Sequence, residues 1–306
     1  MSPRVLAYLR LLRLPTVFTA LADIFLGFLL MHPTLVGDEA TRSLPTFLVL
    51  CLASAGLYLS GMVFNDYFDR SIDAQERPHR PIPSGAISPA AAFRLAAALM
   101  LVGLVAAGSV GFPSLLVAIA LCVLVFGYDS GLKKTPLGPL VMGGCRAGNV
   151  LLGASAVASA GDILQSPQLP IALGLGTYIV GVTLFARQEA TVSRRGSLLA
   201  AAVVINLGVV ALAMLINKSI TVLAEHRLPA LGILAMILFT LDRRLAVAIM
   251  QPTPAVVQVA IKVLLLSLVV LDATLVFAFN GNVEMAMATV AMLIPAIGLS
   301  RLIAMT

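Results

Sequence analysis

Charged residues are scarce in this chain. They make up 11% of its 306 residues, where a soluble domain carries about 25%. With a mean hydropathy of +1.03, that scarcity excludes an ordinary water-soluble globular protein. Cysteine is also rare. Cys51, Cys122 and Cys145 all lie in apolar segments at unrelated spacings, which argues against a disulfide framework or a zinc site. Of the three histidines, His32 and His226 fall on expected outer loops without metal-ligand spacing. No Gly-x-Gly-x-x-Gly, no P-loop and no Ser-His-Asp constellation is present, so neither a phosphate-cradling glycine loop nor a nucleophilic triad has sequence support.

What the chain has in abundance is long apolar runs. About 20 apolar residues suffice for a membrane helix, and such segments are expected at 14–31, 44–64, 89–110, 112–128, 137–160, 169–186, 197–216, 228–250, 256–279 and 283–304. Residues 1–13 place Arg4, Arg10 and Arg13 among leucines, the pattern of a short interfacial helix with basic anchors. No small-x-small cleavage site follows the first apolar run, so it reads as a retained helix. Turn signals such as Gly111-Phe112-Pro113, Ser166-Pro167 and Asn280-Gly281 separate the spans. The reading is one all-α polytopic membrane domain over 1–306.

Alternating the spans from a cytoplasmic N-terminus puts 16 of the 20 basic residues on the cytoplasmic side, as the positive-inside rule asks. Arg42, Lys218 and Arg227 fall opposite, and Arg146 lies within a span. The net charge of +6 is then a consequence of topology and implies no nucleic-acid partner.

The one acid-rich stretch follows the second apolar run: Asn65-Asp66-Tyr67-Phe68-Asp69-Arg70-Ser71-Ile72-Asp73, with Glu76 beyond. If the helix continues, Asn65, Asp69, Asp73 and Asp66 fall at about 0°, 40°, 80° and 100° around its axis. One face then carries all four oxygen-bearing side chains, where a span would leave the hydrocarbon. Clustered carboxylates repel unless a cation joins them, and hard divalent ions prefer carboxylate oxygen.

Together with Arg80-Pro81-Ile82-Pro83-Ser84-Gly85, this Asn-Asp-x-x-Asp-x-x-x-Asp stretch resembles the UbiA-type intramembrane prenyltransferases over roughly residues 10–280. The resemblance implies nine to ten membrane helices around a central cavity. It also implies Mg2+ held by Asp66, Asp69 and Asp73 with Asn65 as ligand or orienter, an allylic prenyl diphosphate bound through that metal, and transfer of the prenyl group to an aromatic or other lipophilic acceptor. Arg80 from the tail, Arg77 just upstream, and Lys133 and Lys134 in Tyr128-Asp129-Ser130-Gly131-Leu132-Lys133-Lys134 are then candidates to face the diphosphate, with Arg80 and Lys134 preferred.

The family's second acidic motif is degenerate here. Its place reads Arg187-Gln188-Glu189-Ala190-Thr191-Val192-Ser193-Arg194-Arg195, so Glu189 is the one candidate second-site ligand and Arg187 a candidate diphosphate contact. This variant, with Cys145-Arg146 and Asp242-Arg243-Arg244, looks like the divergent bacterial EboC branch, which implies a bacterial cell membrane. A non-catalytic lipid-binding or translocating relative is the rival reading. Arg146 and Asn149, three residues apart and so on one helix face, are expected either to line the cavity and touch substrate or to form a structural ion pair with Asp23 or Asp272.

Overall fold

The computed structural model describes residues 2–302 apart from 33, 36–39, 188, 190 and 191. The chain opens on α1 (Pro3–Leu12). Ser2 caps it, its hydroxyl accepting the Val5 N–H at 3.3 Å, and Pro3 fills a first-turn position where its missing N–H costs nothing. Arg13 ends the helix in a left-handed conformation, φ 46°, an uncommon backbone for a residue with a Cβ. A 3-10 turn at Leu14–Thr16 then leads into α2 (Val17–Leu29).

The remaining helices are α3 (Ala40–Phe68), α4 (Arg70–Glu76), α5 (Pro89–Val110), α6 (Phe112–Ser130), α7 (Gly138–Gly153), α8 (Gln168–Ala186), α9 (Arg195–Lys218), α10 (Ala224–Met250), α11 (Pro254–Asn280), α12 (Val283–Ala291) and α13 (Leu293–Leu302). No strand occurs among the described residues. The nine helices α2, α3 and α5 to α11 form a closed ring, each packed on the next, with α11 returning to α2. The last two helices pack outside this ring, α12 against α11 and α13 against the Leu14–Thr16 turn.

Eight stretches among the described residues are long and apolar enough to cross a membrane, and the chain is an integral membrane protein. The expected count of nine to ten is therefore too high by that measure. The ten expected segments each hold helix, the tenth as two helices with 303–304 outside the described residues, but α7 has 16 residues and stops at Gly153, short of the expected 160. Helix α10 carries five charged residues, Glu225, Arg227, Asp242, Arg243 and Arg244, and is not among the eight.

Small residues let α7 approach its neighbours. A Cβ on Gly143 would sit 2.6 Å from the Gly176 carbonyl oxygen of α8, and one on Gly153 would sit 2.7 Å from that of Ile24 on α2. Both distances are below van der Waals contact, so these positions require glycine, as at close membrane-helix crossings. A separate apolar cluster of Leu11, Val63, Phe64, Ile82, Ile87, Ala92 and Ala96 ties α1, the end of α3, the 81–87 loop and the start of α5 together. It forms the apolar base under the acidic stretch.

Candidate functional site

Helix α3 carries Asn65 and Asp66 in its last turn and pauses at Asp69, which leads into α4 with Asp73. The backbone bonds Asp69 N–H to Asn65 O (3.0 Å) and Asp73 N–H to Asp69 O (2.8 Å) keep the rise nearly helical across this pause. Each of the three carboxylates meets a cation, and Asp66 and Asp73 share one. Arg13 Nη2 lies 2.6 Å from Asp66 Oδ1. Arg80 Nη1 lies 3.3 Å from the same oxygen and 2.6 Å from Asp73 Oδ2. Lys133 Nζ lies 2.7 Å from Asp69 Oδ2.

Asp66, Asp73 and Arg80 are 4%, 3% and 6% exposed, so one buried guanidinium nitrogen bridges two buried carboxylates. Its Nε is also buried and has no hydrogen-bond partner among the described residues. A buried donor left open costs free energy unless something accepts from it.

The tail motif explains how Arg80 comes to point inward. Ser84 N–H bonds to Arg80 O at 3.0 Å, and Ile87 N–H to Pro81 O at 3.0 Å. Gly85 takes φ +76°, which favours glycine. Ile82 and Ile87 plug the turn into the apolar cluster. The loop is thus held at both ends, and Arg80 is projected from its rim over the acids.

Asn65 turns elsewhere. Its Nδ2 donates to Asp129 Oδ1 at 2.9 Å, joining α3 to the last turn of α6. Of the two adjacent lysines it is Lys133 that meets an acid, while Lys134 is exposed. Arg77 is half-buried at the end of α4. Exposed Arg187 donates to the Thr135 carbonyl at 2.6 Å and so pins the end of α8 to the loop bearing the lysines. Glu189 follows α8, its N–H bonded to Ala186 O at 3.1 Å. Among the described residues no three His, Cys, Asp or Glu side chains converge on a metal position. Gln188 lies outside the described residues.

Arg146 and Asn149 lie together, on α7, in a second cluster. Arg146 Nη1 is 2.9 Å from Asp23 Oδ2, and Asn149 Nδ2 donates to the same oxygen at 2.8 Å. Asn149 also donates to Ala20 O (2.8 Å) and accepts from the Ser54 hydroxyl (2.7 Å). Asp272 of α11 is fully buried and shares a side-chain hydrogen bond with Asp23, which brings α11 into the same cluster.

Sequence reasoning assigned no site role to Arg13 or Asp129. Arg13 looked like one of three interfacial anchors. The signal that singles it out is Pro15, which stops α1 at Arg13 and leaves that side chain at a helix junction. Asp129 was visible in Tyr128-Asp129, at the end of a span on the same side as Asn65.

The sequence model of the UbiA prenyltransferase family matches residues 24–271. The chain belongs to this family. Among curated relatives, digeranylgeranylglyceryl phosphate synthase of Thermococcus kodakarensis is 38% identical over 124 residues, which span 40% of this chain and 43% of the relative. Two solved structures share the fold. The apo structure of a UbiA homolog from Aeropyrum pernix K1 superposes with a TM-score of 0.65 at 19% identity, covering 85% of this chain and 96% of that one. A UbiA homolog from Archaeoglobus fulgidus bound to GPP and Mg2+ superposes with a TM-score of 0.61 at 14% identity, covering 93% and 99%. None of these bears on the narrower EboC-like resemblance.

Proposed function

We propose that this chain is a membrane prenyltransferase, taking the prenyl group of an allylic prenyl diphosphate and joining it to a lipophilic acceptor. The observation that carries the reading is the bridge of Asp66 and Asp73 by the single Arg80 nitrogen, with Arg80 Nε left open beside it. Two buried carboxylates already share one cation there, and their hard oxygens suit Mg2+. Asp66 and Asp73 would hold the metal, and Asp69 would join them on releasing Lys133. Asn65 then acts as an orienter through Asp129, and Glu189 serves a second metal only if the 187–195 loop turns inward.

Bound Mg2+ would supply Lewis-acid stabilisation of the charge developing on the leaving diphosphate. The protein's own part follows from its cations. Once their carboxylates are engaged otherwise, Arg13, Arg80 and Lys133 are free to take the diphosphate oxygens, Arg80 and Arg13 by paired N–H donation. Such fixed donors favour cleavage of the C–O bond because they gain most as charge builds on the leaving oxygen. The prenyl carbon then bonds to the acceptor, and the acceptor proton is lost. Names of the relatives, with a glyceryl phosphate product, favour a glyceryl phosphate lipid acceptor over an aromatic one. The excess of basic residues on the loops of one side supports an orientation with the motif end of α3 at the cytoplasmic face of a cell membrane.

The rival reading is a binding or translocating protein without catalysis. It is favoured by Glu189, the sole acid of the 187–195 loop, having no described side-chain contact with the first motif. One assay separates them. Purified full-length protein is given allylic diphosphates of several lengths, Mg2+, and both glyceryl phosphate and aromatic acceptors, and pyrophosphate release is followed. Release that depends on Mg2+ and is lost in Asp73→Ala supports the enzyme. Tight diphosphate binding without release supports the binder.

A further inference from the structure

Asn206 is the twelfth of the 24 residues of α9, a helix fit to cross a membrane. Its Nδ2 donates to Asp242 Oδ1 on α10 at 2.9 Å. That bond sets the depth of Asp242, level with the middle of a spanning helix, so Arg243 and Arg244, counted on the cytoplasmic side by the positive-inside reading, lie within the helix, before its end at Met250. Leu241 and Leu245 of α10 are buried, so the inward face of the helix is settled, and Asp242, Arg243 and Arg244 are exposed. Charges on the outer wall of a membrane protein at that depth would face hydrocarbon, whereas such groups normally face inward or are paired.

Beside Asp242 runs a groove of about 390 Å³ between α9 and α10, lined by Leu199, Ala202, Val203, Ala246 and Ile249 among others. Next to the groove, α10 presents Met236 and Phe239, 72% and 66% exposed, with the Arg243 guanidinium 6.0 Å from the Phe239 ring centre.

We propose that this α9–α10 wall is the interface between two copies of the chain, related by a two-fold axis along the membrane normal. Such an axis leaves depth unchanged. A residue on one turn of α10 therefore meets the same turn of the other copy, and Asp242 of each lies level with Arg243 of its partner copy. A wall bearing one sign of charge could not pair with itself; this one carries both signs on neighbouring residues. The interface is isologous, so each ion pair forms twice, and Phe239 and Met236 of each copy have the apolar groove of the other to fill. An aminolipid headgroup would answer Asp242 but leave both Arg243 and Arg244 unmatched, whereas a second copy answers Asp242 and Arg243 and leaves only Arg244, which is why a second copy is the better occupant.

The test uses the full chain in lipid vesicles, with dimer fraction read by single-molecule photobleaching over a range of protein-to-lipid ratios. The wild type is expected to dimerise. Asp242→Arg and Arg243→Asp should each weaken dimerisation by about tenfold or more. The double variant carrying both swaps should recover to within about threefold of wild type. A wild type that stays monomeric at every ratio, with or without bound aminolipid, overturns the proposal, as does a folded double variant that fails to recover. Should the charge variants not fold, Phe239→Cys in a background with Cys51, Cys122 and Cys145 replaced by Ala decides the matter. A short bis-maleimide should join two copies in the vesicle, and absence of the joined species overturns the interface.

Discussion

The two charge clusters of this protein use the same residue types to opposite ends. Where α3 leaves the membrane, three carboxylates face three cations, and some of these groups remain accessible: the side chains of Asp69 and Arg13 are 21% and 22% exposed. Twelve residues earlier on α3, Ser54 belongs to the inner cluster, where Asp23, Asp272 and Arg146 are 0%, 0% and 8% exposed and two acids face one arginine. At the first cluster the outer partners, Arg13, Asp69 and Lys133, reach the surface, while Asp66, Asp73 and Arg80 are buried beneath them. At the second, breaking a bond strands a charge in a low-dielectric interior. The first is the cluster proposed to bind; the second ties α2, α3 and α7 together and abuts α11.

The largest expected effect that would break this contrast belongs to the inner cluster. Arg146→Met removes the single cation from beside two buried acids and should cost about 3–5 kcal/mol of stability, read as a marked drop in the thermal unfolding midpoint in detergent. If Arg146→Met leaves that midpoint unchanged while abolishing diphosphate binding, the assignment of roles is reversed. Next comes Asp73→Ala. Pyrophosphate release should fall by about 100-fold or more, with a smaller loss of stability than Arg146→Met causes, because Arg80 keeps Asp66.

Arg13→Ala sharpens the contrast further. The diphosphate KM should rise by about tenfold, the size of one charge-assisted contact, with folding nearly intact. The smallest effect is the comparison of neighbours. Lys133→Ala should raise the same KM by a few-fold, about 0.5–1 kcal/mol for a partly exposed ion, whereas exposed Lys134→Ala should change it little. Equal effects from the two lysines would show that local net charge matters and not the Lys133–Asp69 contact.

Much of the fold was legible because a bilayer imposes simple rules. Apolar runs near 20 residues, with Pro and Gly between them, located the helical segments, though only eight are apolar enough to cross a membrane among the described residues. The misjudged features came where packing or charge outweighs an apolar run. Helix α7 ends early at Gly153, where α2 crosses it in near backbone contact, and α10 is the expected helix but, with its five charges, is not among the stretches apolar enough to cross a membrane.

At the motif, the shared face of Asn65, Asp66, Asp69 and Asp73 followed from helical geometry, yet Asn65 turns to α6. The preferred lysine was Lys134, but a single 3-10 turn at Leu132–Lys134 directs Lys133 to the acid instead. For Arg146 the sequence left Asp23 and Asp272 open as partners. Both lie in apolar spans far from it in sequence, and only the packing of α2 against α7 selects Asp23.

By itself, the sequence determined that this protein lives in a membrane, that it is helical, and that its acids gather at one helix end. Those are consequences of local composition and of a fixed helical repeat. The tertiary structure alone decided which cation meets which carboxylate. Arg13 and Asp66 are 53 positions apart and Lys133 and Asp69 are 64 apart. A charge interaction falls off with distance in space, and distance in space is set only when the ring of helices closes.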